Sequence, residues 1–137
     1  MNAESARELA SRLAGKRFGV VGVGNELKGD DGAGPAVVAL LGASGAPFPA
    51  VNAAEVPENY GGWPERQGLD AVVFVDAVVF DGAPGEWRIV PIEDLMRSVS
   101  NTHRLFLHFA IQYLREVWGG EAILVGIGTV LADNPQL

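Results

Sequence analysis

One run of residues constrains this fold more than any other. Ala71-Val72-Val73-Phe74-Val75-Asp76-Ala77-Val78-Val79-Phe80 has a single polar member and is rich in β-branched side chains. A strand like that has no face to offer water, so it belongs in the middle of a parallel sheet covered by helices on both sides. The rest of the chain alternates to match. Phe18-Gly19-Val20-Val21 predicts a first strand, Gly32 to Leu41 a helix, and Ala50 to Val56 a weaker second strand. Pro57 to Gln67 reads as loop with a short helix near Trp63-Pro64-Glu65-Arg66, and Asp94 to Ser98 as another short helix. Glu86 to Val90 alternates as an edge strand does. Ser100 to Trp118 is a long helix stopped by Gly119-Gly120, and Ala122 to Ile127 is a last strand. The expected fold class is α/β: a three-layer, doubly wound, mostly parallel twisted sheet, helices on both faces, and one antiparallel edge strand.

A chain of 137 residues is expected to form one domain over 1–137, burying about two-thirds of its unfolded surface. No apolar run approaches the ~20 residues needed to cross a bilayer. Residues 1–15 read as an amphipathic helix, lacking the apolar core and cleavage site of a signal peptide. A formal charge of −7 disfavours nucleic acid and anionic membrane as partners. The absence of cysteine excludes thiol catalysis, thiolate metal sites and disulfides. A cytoplasmic protein is expected.

Chemistry concentrates in the turn after the first strand, Gly22-Val23-Gly24-Asn25-Glu26-Leu27-Lys28-Gly29-Asp30-Asp31-Gly32-Ala33-Gly34-Pro35. Such turns sit at the carboxyl edge of an open α/β sheet, where these folds build their sites. The turn is not a dinucleotide fingerprint, because Leu27 occupies the third glycine position, and Lys28-Gly29-Asp30 does not end a P-loop. Adjacent carboxylates repel each other and resist desolvation, so Asp30 and Asp31 call for a cation, a proton or good solvation. The plainer reading of Asp31 is a helix cap, stabilising by about 1 kcal/mol.

Asp76 interrupts the central strand near its carboxyl end, where a buried carboxylate is costly unless it is satisfied. Loop N–H groups or a bound cation would both serve. His103 falls in the first turn of the long helix, after Asn101 and Thr102; the helix dipole disfavours a cation there and keeps the imidazole neutral, able to ligate a metal. His108 lies about 140° further around the helix among Leu105, Leu107, Phe109 and Ile111, and reads as packing or partner contact. Asp31, Asp76 and His103 are the candidate catalytic and metal-contacting residues. Two carboxylates and an imidazole leave open positions on a divalent ion, whether that ion is resident or belongs to the substrate. Serine catalysis lacks support: no Gly-x-Ser-x-Gly elbow exists, and Ser44 sits in a Gly-Ala-Ser-Gly-Ala loop.

In order and spacing, several pieces resemble the hydrogenase maturation endopeptidases. They are Gly-Val-Gly-Asn with Gly-Asp-Asp-Gly-Ala-Gly-Pro (22–35), Val-Pro-Glu-Asn (56–59), Phe-Val-Asp-Ala (74–77), Ala-Pro-Gly-Glu (83–86), Asn-Thr-His (101–103) and Leu-Val-Gly-Ile (124–127). The resemblance implies an aspartyl-type endopeptidase that clips the C-terminal extension from the large-subunit precursor of a nickel–iron hydrogenase. That precursor is the implied partner. The implied metal is nickel carried by the precursor, met by Asp31, Asp76 and His103, with zinc or cadmium as stand-ins in isolated protein. Asn25 and Asp30 would line the same turn. Glycines 22, 24, 29, 32 and 34 would let the backbone approach a bulky peptide. A non-catalytic checkpoint protein of the same fold is the alternative. After Leu-Val-Gly-Ile the chain departs from the family, ending at Leu137 without a terminal helix. Residues 128–137 are therefore expected to pack poorly, or an apolar face to be covered by the helix at 3–14, by a second copy in a homodimer, or by the hydrogenase precursor itself.

Overall fold

The computed structural model describes residues 3–25, 27, 32–78, 85–96 and 102–128, with 96 and 102–104 as backbone only. Five strands form one sheet in the order β2-β1-β3-β5-β4. They are β1 (Phe18–Val23), β2 (Ala50–Ala54), β3 (Ala71–Val78), β4 (Trp87–Ile89) and β5 (Glu121–Gly128). The first four in that order are parallel, and β4 runs antiparallel along β5. β3 is the middle strand, and all eight of its residues are buried, as a run apolar everywhere but at Asp76 requires.

Helices α1 (Ala3–Leu13) and α2 (Ala33–Ala43) belong to one side of the sheet. The other side carries a short 3-10 turn (Pro57–Tyr60), α3 (Trp63–Arg66), a second 3-10 turn (Ile92–Met96) and α4 (Thr102–Tyr113). A π turn over Leu114–Trp118 extends α4, and Gly119 ends it at φ 83°, a left-handed value that glycine adopts without steric cost. The expected doubly wound architecture is the one observed. β2 ends two residues early, because Ala54 turns out of the strand at φ 51°. The helix expected from Asp94 starts earlier and is a 3-10 turn.

Alternating residues of the sheet feed two cores. Val21, Val23, Val72, Phe74 and Leu124 meet Leu107, Ile111 and Leu114 of α4. Val20, Val73, Val75 and Val125 meet Leu9, Leu13, Val37, Val38 and Leu41 of α1 and α2. The second core is thinner: α1 buries no residue fully, and an apolar cavity of about 390 Å³ remains between it, α2 and the sheet. Charge holds α1 down at its end. Arg12 Nε donates to Glu121 Oε2 at 2.7 Å, and Lys16 Nζ to Glu121 Oε1 at 2.6 Å. The Lys16 hydrogen bond, helped by Arg12, holds the Glu121 carboxyl below its ordinary range against the opposing pull of partial burial. Residues 129–137, on which the expectation of a poorly packed ending falls, lie outside the described residues. Among the described residues no helix is long and apolar enough to cross a membrane.

Candidate active site at the carboxyl edge

β1 continues to β2 on one side and, through the next crossover, to β3 on the other. Strand order reverses between β1 and β3, and open α/β sheets bind their ligands beyond the carboxyl ends of the strands at such a point. β1 and β3 are direct neighbours, Gly22 pairing with Val75. The carboxyl ends of β1 and β3 therefore lie side by side at the switch point.

Two glycines set how closely α2 enters it. A Cβ on Gly34 would run into the carbonyl oxygens of both Val23 and Val75, and one on Gly22 would strike the Gly34 carbonyl and Val38. Gly22 and Gly34 thus serve backbone-to-backbone packing of helix on sheet, not the approach of a peptide. The N-cap of α2 falls on Gly32, one residue past Asp31. Asp30 and Asp31 themselves lie outside the described residues. At the other end of the turn, Asn25 Oδ1 accepts the Leu27 N–H at 2.8 Å, fixing the chain as it leaves the strand.

Asp76 is the one fully buried charged side chain among the described residues. It pairs in register with Gly126 of β5, whose own neighbour on β4 is Arg88. By alternation with Val72 and Phe74 it belongs to the α4 side of the sheet. α4 runs against the strands. Its last turns lie at the start of β5, where Arg115 donates through Nε and Nη2 to the Ala122 carbonyl at 3.3 and 3.0 Å. From Arg115 back to residue 103 the helix rises about 18 Å, and β5 climbs about 13 Å from Ala122 to Gly126. The first turn of α4 thus comes to the level of Asp76 and beyond. His103 has its backbone there, one turn before the buried Leu107; its side chain lies outside the described residues. Among the described residues no three metal-ligating side chains cluster.

The edge also holds a feature with no signal in the sequence. Val23 pairs with Ala54 where Gly22 pairs with Asn52, so Ala53 is skipped in a bulge. Ala54 takes a left-handed backbone, its N–H donating to Asn52 Oδ1 at 2.8 Å and its carbonyl accepting the Gly24 N–H at 2.8 Å. That conformation costs a non-glycine residue about 1–2 kcal/mol. Strain of this kind collects at functional edges.

No family model matches the chain. The curated hydrogenase 3 maturation protease of Escherichia coli K12 is 33% identical over 109 residues, covering 77% of this chain and 68% of that protein. The crystal structure of the NiFe hydrogenase maturation protease HycI from Thermococcus kodakarensis matches at TM-score 0.76 and 35% identity, over 90% of this chain and 81% of that one. The solution structure of the endopeptidase HycI from Escherichia coli matches at TM-score 0.70 and 29% identity, over 82% and 73%.

Proposed function

This chain belongs to the hydrogenase maturation protease family, and on that premise we infer that it is an endopeptidase acting on a hydrogenase precursor. Its substrate is the large-subunit precursor of a nickel–iron hydrogenase, and the bond it cuts releases the C-terminal extension. The observation that carries the reading is the 33–35% identity to named maturation proteases over more than three-quarters of the chain. The full burial of Asp76 at the switch point supports the location of the site.

Nickel enters as part of the substrate. Asp31, Asp76 and His103 are the side chains that meet it, two carboxylates and a neutral imidazole being a suitable donor set for a divalent transition metal. Zinc or cadmium would take the same donors in protein without precursor. A cation beside the scissile bond would polarise its carbonyl, and hydrolysis adds water across the amide to give a new carboxylate and a new amine. The chain's own contribution is positional. β3 delivers Asp76 on a rigid, buried strand, α4 delivers residue 103 from its first turn, and Asn25 fixes the start of the turn that carries Asp30 and Asp31. By releasing the extension the enzyme acts as an activator of the hydrogenase.

The test is incubation with nickel-loaded precursor, followed by intact mass of the large subunit. Loss of the C-terminal peptide is expected with wild type and not with Asp76→Asn or His103→Ala. Precursor that is bound but left intact by wild type would overturn the protease reading. Equal cleavage of nickel-free precursor would overturn the role given to nickel.

A further inference from the structure

Helix α4 shows the solvent an apolar stripe that the core does not use. Phe106, Phe109, Tyr113 and Val117 are 38, 54, 50 and 63% exposed. Their spacings of three, four and four keep them on one side of the helix, out of phase with the buried Leu107, Ile111 and Leu114. The stripe begins within a turn of residue 103 and runs away from the carboxyl edge. Beside it lies a groove of about 440 Å³, with Phe109 and Tyr113 as one wall and Glu58, Asn59, Gly61 and Gly62 as the other. Gly61 keeps the groove open: a Cβ there would stand 3.3 Å from the Tyr113 ring. The half-buried His108 ring makes a T-shaped contact with Phe109, centroids 5.8 Å apart.

The charge around the groove is mainly negative. Glu58 lines it, the exposed Glu55 and Glu116 come three residues before Glu58 and three after Tyr113 in the chain, and the chain carries −7; Arg66 lies over Gly62. Continuity with the carboxyl edge and this acidic rim both bear on the occupant. A second copy docked by a two-fold contact would bring two acidic rims of the same charge together, which repel. We propose that the stripe and groove dock the body of the precursor protein through an apolar surface rimmed by basic side chains, holding it while its extension reaches the site. The proposal rests on the protease reading above.

The double variant Phe109→Ser/Tyr113→Ser tests it, since both side chains are already half exposed and the core is untouched. With nickel-loaded precursor, KM is expected to rise about tenfold or more, as for loss of aromatic interface anchors. The kcat at saturating precursor is expected to stay within about twofold, because the lost contacts are made equally in the ground and transition states. Glu58→Lys should also raise KM, by a factor that shrinks as salt is added. Leu40→Ser, 68% exposed on the opposite side of the sheet, should leave KM unchanged. An unchanged KM in the double variant overturns the proposal, as does a wild-type dimer that the double variant dissociates while processing normally. Should wild type fail to cleave, the protease reading falls, and the dissociation constant of precursor from wild type and double variant, read by calorimetry, still decides the docking.

Discussion

The two sides of the sheet are built to different standards. On the α4 side, Leu107, Ile111 and Leu114 are fully buried against Val72, Phe74 and Leu124, and Asp76 shares that side. On the α1–α2 side, Val20, Val75 and Val125 remain 5–6% exposed, α1 buries nothing completely, and a cavity persists. The contrast teaches where precision is needed. The proposed site, with the buried Asp76, lies on the tight side, while the loose side is closed by a helix fastened through Glu121.

The largest effect is expected where α2 presses backbone to backbone on the sheet. Gly34→Ala forces a methyl into the carbonyls of Val23 and Val75, which are backbone and cannot yield, and should cost about 3 kcal/mol or more. Urea unfolding that shows a loss under about 1 kcal/mol would remove Gly34 as the hinge of this arrangement. Next come matched truncations. Leu107→Ala should cost about 2–5 kcal/mol, and Leu13→Ala on the loose side only about 1 kcal/mol. Equal losses would break the comparison.

A third prediction sharpens it through pH. Glu121 is held below its ordinary range, so its contribution is fully present above the unfolded-state value and disappears as pH falls through the lowered native one. Glu121→Gln should cost about 0.5–1 kcal/mol at neutral pH, as expected of two partly exposed ion pairs. Its stability should fall less steeply than wild type on the acid side, and parallel acid limbs in thermal melts would count against the clamp. The smallest expected effect is a gain. Ala54→Gly relieves a left-handed alanine and should stabilise by about 0.5–1 kcal/mol, read as a raised Tm.

Much of this was legible in the residues. The run through Ala71–Val78 named the central strand, the turn after Phe18-Gly19-Val20-Val21 named the carboxyl edge, and Asp76 stood out because it is the single polar residue in an apolar run of sequence. Gly119 stopped α4 where a glycine was expected to. What was illegible depended on contacts distant in sequence. Gly22 and Gly34 looked like room for a ligand, yet each is filled by the other's element. Ala54 carries no sign of its positive φ, which comes from the bulge that Asn52 and Gly24 impose. Phe109 carries no mark of its own among apolar neighbours, and its exposure follows from the phase of the helix against the core.

The place of β5 has a consequence for synthesis. It is the last described strand along the chain, yet it lies inside the sheet, between β3 and β4. A nascent chain that has emerged only as far as residue 120 has made β4 without any strand to pair with, and leaves one edge of β3 open. At about 5–20 residues per second, that edge stays available to other chains until β5 arrives. The sheet therefore cannot be completed piecemeal on the ribosome, and a pause before Glu121 would be the moment of greatest exposure to aggregation.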